Sequence, residues 1–361
     1  MVKACFYVDP NGAFLKNQFF LSSSYENRIR TSGYAFTALR EELKKQNIDL
    51  ATQDINPVES ATIVFCLDVP HYFKEIKKKN NQKWVLFIYD PPVYCPESWN
   101  KANHDQFDCV FTFDKTMVDN EKYFHYYFAI DTEYFSTPLP VSIETFKERK
   151  LCTMVSSAMQ GLKDKSQPDS LLFERYRAIR WFAQHHPDDF DFYGLSFEKK
   201  DYHFSFRGVG LIKKILPGNI FKSLAKFAQR KILKVYKGSL PALEKTEVVR
   251  KYNFYLCYEN TTGINGYLTE KLFECFYSST LPIYWGAPNY KELIPANCCI
   301  DGAAFKDFAS LHQYIKKMPF EEYQSYIQAA RNFLEGPEME KFTVRSFVDN
   351  TIKVFESKKI I

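Results

Sequence analysis

The residues best suited to chemistry cluster in the run FYLCYENTTGINGYLTEKLFECFYSSTLPIYWGAPN, from Phe254 to Asn289. It reads as strand, polar loop, helix, strand and turn. The strand ends in Glu259-Asn260, the loop holds Gly263 and Gly266, and the helix opens near Thr269-Glu270-Lys271. Free N–H groups and positive potential at a helix start suit a phosphate. Lys271 has the wrong sign for a first turn, an unfavourable term of about 0.3–1 kcal/mol, and its place makes sense if an anion sits there. Glu270 suits the helix start and can accept hydrogen bonds from sugar hydroxyls. These are the parts of a nucleotide site; ordinary capping beside a solvated lysine is the plain alternative. Asp189-Phe190-Asp191 fits the DxD pattern of metal-dependent sugar transfer, but at the entrance to an apolar strand it reads as a solvated turn. His185-His186 close a helix and complement its dipole. No nucleophilic triad, P-loop or GxGxxG pattern occurs.

Such a site needs strands that end together. Over residues 1–130, apolar runs at 5–8, 63–67, 84–89 and 108–113 alternate with helical patterns at 34–46 and 72–79. Residues 131–150 hold two prolines and no clean period, and read as a linker. The alternation restarts with strands at 151–157, 190–193, 254–258, 281–285 and 298–301, and helices at 170–184 and 267–277. Helices at 308–317, 321–334 and 343–357 follow. Continuous apolar strands separated by helices predict parallel sheets covered on both faces. The expected class is α/β: two Rossmann-like domains, 1–130 and 151–342, then a C-terminal helix over 343–361. Their cleft lies at strand carboxyl ends, where ligands of such sheets bind.

With 361 residues, 45% hydrophobic and 25% charged, the chain can build two cores and is not a disordered protein. A net charge of +5 does not by itself argue for nucleic acid. The charge is uneven, however. Residues 202–243 form a basic insert with nine Lys or Arg and no Asp or Glu, which leaves the remainder at about −4. Within it, residues 220–236 set Phe221, Leu224, Ala228, Ile232 and Val235 on one helical face and Lys222, Lys226, Arg230 and Lys234, continued by Lys237, on the other. That pattern fits a helix on an anionic membrane surface, or one packed on its own domain. Nine scattered cysteines without a CxxC pair argue against a zinc site or a disulfide framework. The first residues lack a signal-peptide core, and no apolar run approaches the roughly 18 residues of a membrane span. The expected location is cytoplasmic, peripheral on the inner face of a membrane.

The run from Phe254 to Asn289 resembles the donor-binding signature of the family 10 fucosyltransferases, the α1,3/1,4 enzymes that use GDP-fucose. Three further segments agree in order: KWVLFIYDPPVYCPESW resembles the family's acidic segment, LLFERYRAIRWFAQHHPDDFDFYG its helix–strand unit opening the second domain, and YKGSLPALEKTEVVRKYNF its lead-in to the donor motif. The likeness is specific over about 150–345, weaker over 60–130 and absent from the first 60 residues. It implies the GT-B fold of two facing Rossmann-like domains. It also implies inverting transfer of L-fucose from GDP-β-L-fucose to an acceptor glycan, α1,3 to an N-acetylglucosamine-type sugar, with lipid-linked chains among the acceptors it admits. Neither a tightly bound cofactor nor an obligatory metal is expected, and no nucleic-acid partner. The competing readings are the same fold with another nucleotide sugar, and a non-enzymatic basic protein binding nucleic acid or membrane.

Taken residue by residue, the resemblance assigns Lys271 to the leaving diphosphate and Glu270 to sugar or ribose hydroxyls. Tyr267 bounds the donor pocket, and Asn260 hydrogen-bonds the donor. Arg175, in FERYRAI, meets the diphosphate, while Arg177, about 200° around the helix, points away. Glu259 has a second reading as a brace for the loop. The family presents a glutamate base directly after an apolar strand; here that place holds Asp90, followed by Pro91-Pro92, with Glu97 as the reserve. His104, near this segment, is a candidate for the acceptor cleft. No carboxylate pair is expected beside the diphosphate motif.

Overall fold

The computed structural model describes residues 1–8, 14–21, 33–70, 76–133, 135, 137–156, 169–194, 232–241 and 244–361. In the first strand, β1 (Val2–Tyr7), successive side chains bury into different cores, Ala4 and Phe6 into one and Cys5 into the other. Helix α1 (Gly33–Lys45) follows, then β2 (Ile48–Thr52), β3 (Ile63–Leu67), β4 (Lys83–Phe87), β5 (Cys109–Thr112) and β6 (Tyr123–His125). The sheet is parallel, in the order β2-β1-β3-β4-β5-β6. Phe65, Phe87 and Phe111 line one face; Val64, Trp84, Leu86 and Val110 line the other. Burial on both faces is why these strands are continuous apolar runs.

The second domain repeats the plan. After a short helix, α2 (Ile143–Glu148), come β7 (Lys150–Val155), α3 (Leu172–His185), β8 (Phe190–Tyr193), α4 (Lys245–Val249), β9 (Tyr252–Tyr258), α5 (Glu270–Tyr277), β10 (Leu281–Trp285) and β11 (Ile300–Asp301). Their parallel order is β11-β10-β9-β7-β8. Both sheets therefore reverse direction once, between β1 and β3 and between β7 and β9, and crevices at such switch points hold ligands at the strands' carboxyl ends. Helices α6 (Phe308–Lys317), α7 (Phe320–Glu335) and α8 (Val344–Ser357) complete the fold. Helix α8 returns to the first domain: Phe347 packs on Phe36 and Phe87, and Phe355 on Phe65 and Phe111. The two chain crossings run side by side, with the Ile130 N–H donating to the Phe342 carbonyl at 2.7 Å.

Several sequence expectations change. The linker contains α2, capped by the Ser142 hydroxyl, which accepts from the Thr145 N–H. The basic helix expected at 72–79 is not helical over 76–79, where the N–H groups of Lys78 and Lys79 donate to the Gln106 and Gln82 side chains; residues 71–75 lie outside the described residues. Strands β2 and β6 carry no long apolar run and edge the sheet. The strand expected to reach 157 ends at Val155, and Ser157 is outside the described residues. Most of the amphipathic stretch 220–236 is also outside them. At its described end, Ile232 and Val235 are buried in the second domain's core and so are not free for lipid. Among the described residues no helix is long and apolar enough to cross a membrane.

Candidate active site

The donor motif begins where β9 ends, at the second sheet's switch point. Glu259 is wholly buried there, and its carboxylate accepts from the Thr269 N–H and hydroxyl at 2.9 Å each and from Lys271 Nζ at 2.9 Å. Gly286 allows this approach, since a Cβ there would strike the Glu259 side chain and the Tyr284 hydroxyl. Because Thr269 is held outward by Glu259, α5 starts at Glu270, later than its apolar pattern predicts. The wrong-signed Lys271 is thus explained in part from within: its counter-anion is Glu259. Burial lowers the affinity of Lys271 for its proton, but Glu259 and then Glu270 reverse this, and its pKa is raised overall. Glu270 is the converse case. Burial raises it, Lys271 and Lys245 lower it, and it stays ionised. Lys245, on α4, pairs with Glu274 one turn along α5. A carboxylate pair, Glu259 and Glu270, therefore does flank Lys271, contrary to expectation.

Arg175 is buried on α3, as favoured over the exposed Arg177, which pairs with Glu174. Its guanidinium does not stand open. Nε and Nη2 donate to the Tyr258 carbonyl at 3.1 and 2.6 Å, and Nη2 to Asn260 Oδ1 at 2.9 Å. Asn260 in turn donates to the Tyr267 hydroxyl at 2.9 Å. Tyr267 is buried and packs across the domain boundary on Phe113 and Phe128, with ring centroids 5.2 and 5.7 Å apart. The turn leading to it uses Gly266 at φ +81°, where a side chain would collide with the Phe113 carbonyl. Arg175, Asn260 and Tyr267 thus form a brace that joins the donor loop to the first domain, in addition to any contact with a donor. A cavity of about 990 Å³ opens beside Glu270, bounded also by Tyr34, Phe135, Glu340 and Val348.

Across the cleft, Asp90 follows β4. Burial raises its pKa, opposed by Lys271 and reinforced by Glu270, so the two domains bring the candidate base and Lys271 within electrostatic reach. Among the described residues no hydrogen bond reaches its carboxylate, which leaves its lone pairs for a proton. Glu97 stands apart: it is exposed, and its carboxylate is tied to Asn103 Nδ2 at 2.7 Å. His104 is fully buried between the Ser98 carbonyl and the Tyr123 hydroxyl, a structural position away from solvent. Asp191 is not a solvated turn either; it is buried and bridges Lys150, Lys237 and Tyr252. His186, Asp189 and His312 set ligand atoms within 4.8 Å of one another, but Asp189 precedes β8, at the opposite end of the sheet from the donor motif.

Two residues escaped the sequence reading. Tyr94 is 43% exposed, and its hydroxyl feels Arg175, Lys271 and Asp90, so it sits between both halves of the site. Its aromatic ring four positions after Asp90 was the available signal. Asp68, after β3, is buried beside Asp90, with Asp68, Asp90 and Cys95 mutually within 4.8 Å. It ended an apolar strand as Asp90 does.

Two facing doubly wound sheets, bridged by two chain crossings, are the GT-B architecture of glycosyltransferases. The comparisons agree. A crystal structure of an α1,3-fucosyltransferase with GDP superposes with a TM-score of 0.55 at 17% identity, over 98% of this chain and 90% of that one. The Anabaena protein HepE in complex with UDP-glucose superposes with a TM-score of 0.54 at 10% identity, over 99% of this chain and all of that one. Residues 221–347 match glycosyltransferase family 10 (fucosyltransferase), C-terminal domain. An α-(1,3)-fucosyltransferase from Helicobacter pylori is 40% identical over 72 residues, 20% of this chain and 15% of that protein. An Arabidopsis thaliana α-(1,4)-fucosyltransferase is 40% identical over 67 residues, 19% of this chain and 16% of that one. The matched stretches thus span about a sixth of those relatives or less. The similarity to family 10 fucosyltransferases thus lies in the second domain, over residues 221–347.

Proposed function

We propose that the protein transfers L-fucose from GDP-fucose to a hydroxyl of an acceptor glycan, with inversion. The observation that carries this is Lys271, a partly buried cation in the segment that matches family 10, within electrostatic reach of the Asp90 carboxylate across the cleft. In the transfer, Asp90 takes the proton of the attacking hydroxyl, Lys271 with Arg175 behind it offsets charge on the departing diphosphate, and Glu270 accepts from sugar hydroxyls. The fold alone leaves the donor open, because HepE shares it; the family-10 segment is what favours GDP-fucose. An α1,3 linkage to an N-acetylglucosamine-type sugar, and a cytoplasmic enzyme meeting a lipid-linked acceptor at a membrane surface, complete the proposal.

The test is a donor panel by calorimetry with product analysis on N-acetyllactosamine-type acceptors. GDP-fucose binds and is consumed; UDP-glucose does neither. Preference for UDP-glucose would establish the other donor class. Asp90→Asn keeps GDP affinity and lowers turnover by roughly 10²–10⁴, the usual size of a general-base effect.

A further inference from the structure

Asp68 stands immediately after β3, at the first sheet's switch point, with its backbone in the left-handed region at φ +59°. Aspartate tolerates that conformation better than most residues, and here the conformation is used. The Asp68 N–H donates to the Phe87 carbonyl at 2.8 Å, while its two carboxylate oxygens accept from the N–H groups of Tyr89 at 3.0 Å and Asp90 at 2.9 Å. The Ser98 hydroxyl bonds the same carboxylate and accepts from the Val69 N–H at 2.8 Å. One buried side chain thus clamps the segment that carries Asp90 and lies beside its carboxylate.

We infer that Asp68 is a positioning residue for the reaction, fixing the backbone of Asp90 and holding the proton that the two carboxylates share, so that Asp90 stands ionised and becomes a stronger base once Asp68 ionises too; this rests on Asp90 being the base. Two carboxylates so close hold one proton between them more readily than either would alone. Burial, and then Asp90, push Asp68 up to about 7, against the opposing bonds from Tyr89, Asp90 and Ser98. The groups around the pair are Cys95, whose thiol stays protonated, Tyr126 from the strand-end beyond β6, Tyr89 and Tyr94 beside it, and Lys271, Glu270 and Tyr267 from the second domain. Lys271 draws Asp90 toward ionisation against Glu270, whereas burial and Asp90 hold the proton on Asp68, so Asp90 ionises first and Asp68 after it.

The experiment compares Asp68→Asn with the wild-type chain, using GDP-fucose and N-acetyllactosamine, with kcat followed against pH. GDP affinity stays within about twofold, turnover falls, and the wild-type rise in kcat near pH 7, where Asp68 ionises beside Asp90, is absent from Asp68→Asn. A wild-type profile without this rise, or the same rise in both chains, as a merely structural clamp would give, overturns the inference. Should Asp68→Asn fail to bind GDP, Ser98→Ala carries the test. Loss of its bond favours protonated Asp68, so the rise moves to higher pH; an unmoved rise there also overturns the inference. Full activity of Asp90→Asn would instead overturn the assignment of the base itself.

Discussion

Replacing Lys271 by methionine separates the ion pair that the structure shows from the contact proposed with the leaving diphosphate. Nζ lies 2.9 Å from Glu259 Oε2 and 2.9 Å from the Thr269 hydroxyl, and the Glu259 side chain is 0% exposed. Removing one partner of such a pair strands a buried charge, a cost of about 3–5 kcal/mol. The leaving diphosphate also loses a charge-assisted hydrogen bond worth about 1.5–3 kcal/mol, or roughly ten- to hundredfold in GDP affinity. Lys271→Met should therefore lower both the thermal midpoint and the affinity for GDP. Adding Glu259→Gln in that background removes the stranded charge, so the double variant regains most of its thermal midpoint and still binds GDP weakly. Calorimetric GDP titration and thermal unfolding of the single and double variants give both readouts. If the stable double variant binds GDP as tightly as the wild type, Lys271 serves only to neutralise Glu259, and its assignment to the diphosphate is wrong.

Phe355→Ala should cost about 3–5 kcal/mol, the usual loss for a buried phenylalanine, because its ring packs on Phe65 and Phe111 of the first domain; GDP affinity should hold, and a lowered thermal midpoint is the check. Gly266→Ala forces a side chain into φ +81° and against the Phe113 carbonyl, so it should destabilise by more than about 1 kcal/mol and reduce turnover; wild-type stability would contradict the close domain contact. Fucose transfer should persist in EDTA, as Lys271 and Arg175 supply the positive charge; a complete loss restored by added divalent metal would show that the diphosphate needs a cation beyond the protein's own.

The sequence alone determined the fold class and the donor motif, because both rest on local patterns. Apolar runs of four to six residues that alternate with helical patterns read as strands buried on two faces, and a helix start after a polar loop announces itself through Glu270 and Lys271. The same locality explains the strands at 190–193 and 281–285, which lie where the sequence placed them. Edge strands β2 and β6 were illegible because pairing with a neighbour, not apolar content, makes them strands. Only the tertiary structure decided what each polar group faces. Glu259 and Lys271 are twelve residues apart and meet because β9 and α5 turn back on one another. Asp68 and Asp90 join because β3 and β4 are neighbours in the sheet, and α8 belongs to the first domain because phenylalanines on one of its faces complete a core begun some 300 residues earlier. Charge and shape complementarity between distant segments has no period along the chain, so it becomes visible only when the strands are side by side.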